Sequence, residues 1–129
     1  DSRKGRVLLN LGHTVGHVLE HLSNYTITHG EAVSLGLVAA ARISVSCAGA
    51  PAALEPIVVE ALRKAGLPTD LDEHLARFNE ATLVQALGQD KKRRAQGVTY
   101  IALKDIGEPR LLTLAPSQII TLLRSSAAP

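Results

Sequence analysis

The chain contains no methionine and no tryptophan, one cysteine, and only two tyrosines and one phenylalanine. With aromatics at 2%, the exposed rings on which nucleic-acid bases stack are nearly lacking. Cys47 has no second cysteine to pair with, which fits a reducing compartment and a cytoplasmic protein. An excess of either charge is also missing. Fourteen basic and 12 acidic residues leave a net charge of +2, so neither a nucleic-acid nor a membrane partner is expected. No apolar run reaches the roughly 20 residues of a membrane span. The longest, residues 32–50, is interrupted by Arg42 and by Ser34, Gly36, Ser44, Ser46 and Gly49. The opening residues, 1–5, are polar and unlike a secretory leader. The lack of any methionine, including at position 1, suggests an excised piece of a longer protein.

What is present is aliphatic. The 129 residues, 46% of them hydrophobic, suit one domain built by helix packing. After a few strand-like residues from Val7, the residues Leu11, Val15, Val18, Leu19 and Leu22 recur at helical spacing, and Asn24 with Tyr25 ends that helix. A second helix, over 31–48, is apolar nearly all round, the signature of a central buried element. Gly36 and Ala39, Ala40 and Ala41 allow its neighbours to approach closely. Pro51 separates it from a third helix over 54–65, with Leu54, Val58, Ala61, Leu62 and Ala65 as the inward stripe and Gly66 then Pro68 as the stop. Thr69 and Asp72 have the spacing of a capping box for a short helix to Arg77, and Asn79 is placed to cap a fifth helix over 80–94. Residues 98–103 and 110–114 read as a β-hairpin turning near Gly107, and Pro116 opens a last helix to Arg124. The expected fold is mainly α, a multi-helix domain over 1–129 with one small hairpin near its C-terminal end.

Four histidines crowd one segment. His13, His17 and His21 step by four along one helix face, and His29 follows beside Gly30. Two imidazoles at i and i+4 can share a metal ion, so spacing alone favours His13 with His17. Thr14 stands where the zinc proteases carry a general-base Glu, which removes that reading. His21 and His74 read as ordinary surface residues. Gly12 and Gly16, close together in a helix, imply close packing or the close approach of a ligand.

Taken together, Arg6-Val7-Leu8-Leu9-Asn10-Leu11-Gly12-His13-Thr14-Val15-Gly16-His17, then His29-Gly30-Glu31-Ala32-Val33, then Asp90-Lys91-Lys92, resemble the 3-dehydroquinate synthases. The likeness runs in order over most of the chain and corresponds to the C-terminal part of such an enzyme. It implies a carbon–oxygen lyase of the shikimate pathway, which feeds aromatic amino acid biosynthesis. That enzyme converts 3-deoxy-arabino-heptulosonate 7-phosphate to 3-dehydroquinate and phosphate, using NAD and a divalent metal, usually zinc. A metal on the reacting hydroxyl lowers its pKa and holds it for hydride transfer. By position, the resemblance makes His13 and His29 metal ligands and His17 a catalytic, substrate-contacting residue. It makes Arg6, Asn10 and one of Lys91 and Lys92 substrate-binding. Arg offers a forked cation and Asn both donors and an acceptor, which suits a substrate with a carboxylate, a phosphate and hydroxyls. Glu20 and Glu31 would orient ring nitrogens, as carboxylates beside metal-bound histidines commonly do.

The family's third metal ligand, a Glu upstream of these motifs, and its NAD-binding N-terminal domain have no counterpart in the sequence, and no glycine-rich phosphate loop occurs. Ser2 stands where the family usually has an acidic residue. The resemblance therefore implies a fragment that is inactive alone, an N-terminal NAD-binding domain as partner, and a homodimer as the intact form. An apolar surface is expected where that domain or a second copy docks. Two alternatives stay open: a related sugar-phosphate cyclase of the valiolone or deoxy-inosose type, and a non-catalytic helical module that keeps the fold.

Overall fold

The computed structural model describes residues 14–47, 49–93, 100–105, 108–112 and 115–125, with the backbone alone at 47, 90–93, the two strands and 125. The described part is mainly helical. In chain order it has α1 (residues 14–22), α2 (His29–Cys47), α3 (Leu54–Lys64), α4 (Leu71–Ala76), α5 (Glu80–Arg93), two short strands and α6 (Pro116–Ser125). The strands, β1 (Tyr100–Asp105) and β2 (Glu108–Leu112), pair antiparallel from Tyr100 opposite Leu112 to Leu103 opposite Pro109, with an irregular register between Leu103 and Asp105. The residues expected to turn around Gly107 lie outside the described ones, as do 98–99 and 113–114.

The helix ends follow from local chemistry. Asn24 and Tyr25 take positive φ, 55° and 61°, and close α1 in a Schellman motif. The Tyr25 N–H donates to Glu20 O at 2.9 Å and the Asn24 N–H to His21 O at 3.0 Å. Gly66, at φ 78°, does the same for α3, where Leu67 N–H donates to Leu62 O and Gly66 N–H to Arg63 O. Asn79 caps α5 as its residue type suggests, its Oδ1 accepting from Thr82 N–H at 2.7 Å. Pro116 opens α6, and Gln118 reaches back to accept from the Ala115 N–H at 2.8 Å. At the far end of that helix, Arg124 donates to Phe78 O at 2.9 Å. Its cation thereby answers the carbonyls just past α4.

Three expectations are corrected. Helix α2 starts at His29 rather than Glu31, because Thr28 and Glu31 form a reciprocal capping box. Thr28 N–H donates to Glu31 Oε1 at 2.8 Å, and Glu31 N–H donates to Thr28 Oγ1 at 3.1 Å. The box expected from Thr69 and Asp72 does not form: α4 has no side-chain cap bond, and Asp72 turns instead to Arg42. On α3, Leu54 and Leu62 are buried as expected, whereas Ala61 and Ala65 are exposed, because the helix is covered on one side only.

Helix α2 is the core. Leu35, Val38, Ala39, Ala40 and Ile43 are at most 1% exposed. They form one cluster with Leu19 of α1, Leu71 and Leu75 of α4, Leu83 and Leu87 of α5, and Ile119, Ile120 and Leu123 of α6. The sole charged group buried among the described residues is on this helix. Arg42 donates to Glu55 of α3 at 2.9 and 3.1 Å, to Asp72 of α4 at 2.6 and 3.3 Å, and to the Leu123 carbonyl of α6 at 2.9 Å. Burial pulls the guanidinium toward its neutral form, but its bonds to Glu55 and Asp72 and their charges outweigh that, and its pKa lies above the ordinary value. One fork thus ties four helices together through a mostly aliphatic interior. Among the described residues no helix is long and apolar enough to cross a membrane.

An apolar groove of about 270 Å³ opens between α2 and α3, lined by Leu37, Ala41, Leu54, Ile57, Val58, Ala61 and Leu62. Ile57 is 55% exposed there.

Candidate metal and substrate site

Of the residues singled out in the sequence, His17, Glu20 and His29 are described where α1 meets the start of α2, and glycine makes that meeting possible. Gly16 faces the backbone of α2 at Ala32, with no room between them for a side chain. Of the two explanations for a glycine in this helix, close packing holds at Gly16; Gly12 lies outside the described residues. One turn further along α1 on the same side, Glu20 meets His29, the first residue of α2. His29 Nδ1 lies 3.4 Å from Glu20 Oε1, the ring being 73% exposed and the carboxylate 14%. The backbone of His29 sits inside the Thr28–Glu31 capping box. Glu31 is therefore occupied in holding the helix start rather than orienting a ring. That role was legible in the spacing Thr28-His29-Gly30-Glu31.

His17 lies on α1 three residues before Glu20 and is half-buried. His21 is exposed and meets the Tyr25 ring edge-on, at 6.2 Å between centroids. His74 stands apart on α4, 3.6 Å from Asp70 and 3.5 Å from Arg77. Arg6, Asn10 and His13 lie outside the described residues, and the side chains of Lys91 and Lys92 are not described. Among the described residues no group of three or more His, Cys, Asp or Glu side chains is gathered to hold a metal ion. The donor that is present fits one. Imidazole suits zinc and its first-row neighbours. With Nδ1 turned to Glu20, Nε2 of His29 is the nitrogen that would take the ion.

Residues 1–93 match the model of the family described as 3-dehydroquinate synthase C-terminal. The chain belongs to that family. Curated 3-dehydroquinate synthases align along most of its length. The enzyme of Crocosphaera subtropica is 38% identical over 117 residues, 90% of this chain and 31% of its own. That of Aeropyrum pernix is 42% identical over 106 residues, covering 82% and 28%. The chain thus spans under a third of the length of the 3-dehydroquinate synthases it matches. Among solved structures, 2-deoxy-scyllo-inosose synthase complexed with carbaglucose-6-phosphate, NAD+ and Co2+ superposes with a TM-score of 0.66 at 23% identity, over 89% of this chain and 32% of that one. A second structure of 2-deoxy-scyllo-inosose synthase gives a TM-score of 0.63 at 25% identity, over 88% and 30%. The chain thereby shares its fold with part of 2-deoxy-scyllo-inosose synthase.

Proposed function

We propose that this chain is the metal- and substrate-binding C-terminal part of a 3-dehydroquinate synthase. The intact enzyme would convert 3-deoxy-arabino-heptulosonate 7-phosphate to 3-dehydroquinate and phosphate in the cytoplasm. The observation that carries the reading is the family match over residues 1–93, which includes every residue assigned a role. When bound, the divalent metal supplies a Lewis acid for the substrate hydroxyl, and NAD supplies a reversible hydride acceptor. The chain's own residues bind and orient. His13 and His29 hold the ion, zinc by preference. His17 contacts the substrate and handles a proton beside the reacting centre. Arg6, Asn10 and a lysine of the Lys91–Lys92 pair hold the anionic and hydroxyl groups. The family likeness over residues 1–93 supports His13 with His29 over the i, i+4 pair His13 with His17.

NAD, the remaining metal ligand and a dimer contact belong to the rest of the protein in this reading, so the chain alone turns over no substrate. Zinc titration by calorimetry tests the ligand set: one site is expected, abolished by His29→Ala and retained in His17→Ala. Loss through His17→Ala with retention in His29→Ala would overturn it in favour of the i, i+4 pair. Phosphate release at an enzymatic rate by the isolated chain, given substrate, NAD and zinc, would overturn the dependence on a partner domain. A second reading, a deoxy-inosose-forming cyclase, draws on the two structural neighbours. The 35–42% identity to 3-dehydroquinate synthases favours the first, and comparing the two sugar phosphates as substrates of the intact protein separates them.

A further inference from the structure

The contact between Glu20 and His29 joins α1 to α2 one turn from where Gly16 faces the backbone of Ala32, and it sits on a ligand proposed for the metal. Glu20 is anchored on α1 one turn after Gly16, and its carboxylate is largely withdrawn from water. His29 is fixed through its backbone by the Thr28–Glu31 box, and its ring is mostly exposed, so the groups that meet it decide its rotamer. Glu20 Oε1 at 3.4 Å from Nδ1 is such a group. A carboxylate is acceptor-only when ionised, so a neutral imidazole meeting it at Nδ1 must carry its proton there, and its lone pair is then on Nε2.

We infer that Glu20 is a positioning residue for His29, selecting the Nδ1–H tautomer and the ring rotamer that present Nε2 to a divalent metal. The inference rests on the reading of His29 as a ligand. It separates Glu20 from Glu31, whose carboxylate is used at the helix start. It also explains why α1 must lie so close to α2: a wider crossing would carry the carboxylate out of reach of the ring.

The test has two arms on the full chain, with wild type, Glu20→Ala and Glu20→Gln. In the metal-free protein at about pH 8, where an ordinary histidine is neutral, long-range ¹H–¹⁵N NMR reads the tautomer of His29. The expected result is the Nδ1–H form in wild type and in Glu20→Gln, whose side-chain carbonyl still accepts, and a mixture in Glu20→Ala. Zinc affinity by calorimetry should fall about 10- to 100-fold in Glu20→Ala, the usual effect of removing such a partner, and recover most of that loss in Glu20→Gln. An unchanged tautomer in Glu20→Ala, or unchanged zinc affinity there while wild type binds, overturns the inference. Zinc binding unaltered by His29→Ala overturns the ligand reading instead, whatever the tautomer. If wild type binds no zinc, the tautomer arm alone decides the role of Glu20.

Discussion

A methyl group on Gly16 would stand 2.5 Å from the carbonyl oxygen of Ala32 and 3.0 Å from its carbonyl carbon. The obstacle is helix backbone, which cannot rotate aside as a side-chain tip can, so the two helices would have to part. The same movement would separate Glu20 from His29, linking a packing constraint to the candidate site.

Gly16→Ala should therefore destabilise the chain by about 1–3 kcal/mol, the range for overpacking, despite alanine's better helix propensity. Gly88→Ala is the control. A Cβ there meets nothing within 4 Å, and α5 should gain up to about 1 kcal/mol from the same substitution. Urea unfolding midpoints of the two variants should move in opposite directions.

Arg42→Ala should strand the carboxylates of Glu55 and Asp72. Their side chains remain 26% and 53% exposed, so water recovers part of the loss. We expect about 2–3 kcal/mol, below the cost of breaking a fully buried pair. Thermal denaturation with Arg42→Ala, and with Arg42→Lys, which keeps charge but loses the fork, measures it. Lysine should rescue less than half.

The raised pKa of Arg42 fixes the sign of its pH dependence. A group whose folded pKa is raised contributes stability that is complete below its unfolded value and lost only as pH rises through the folded value. Arg42 should therefore contribute no change in stability between about pH 7 and 10. A loss in that window that disappears in Arg42→Ala would contradict the network.

The caps offer a paired comparison. Asn79→Ala removes the bond to the Thr82 N–H and should cost about 1 kcal/mol. Thr69→Ala removes no cap bond from α4 and should stay within about 0.5 kcal/mol of wild type. Chemical denaturation of both variants discriminates a cap that exists from one that only the sequence spacing suggests.

Local chemistry makes much of the fold legible in the sequence. Asn24, Gly66, Asn79 and Pro116 end or begin helices because each satisfies its turn through its own backbone or nearest neighbours. The mostly apolar α2 is central because a helix with so few polar residues is stable only packed among others. Thr28 and Glu31 carried the same kind of signal, and the helix start at His29 could have been read from it. Asp72 could not be read in this way: it has the spacing of a cap, but a buried guanidinium offers a carboxylate more than one exposed N–H does, and Arg42 comes from a helix distant in sequence.

By itself, then, the sequence determined the helical class, most helix ends, the central helix and the family motifs, since these depend on neighbours along the chain or on residue identity. Only the tertiary structure decided whether Gly16 serves packing, which carboxylate faces His29, and what Arg42 binds. Those depend on which helices touch and at what depth, and contacts between distant segments leave no fixed spacing in the sequence.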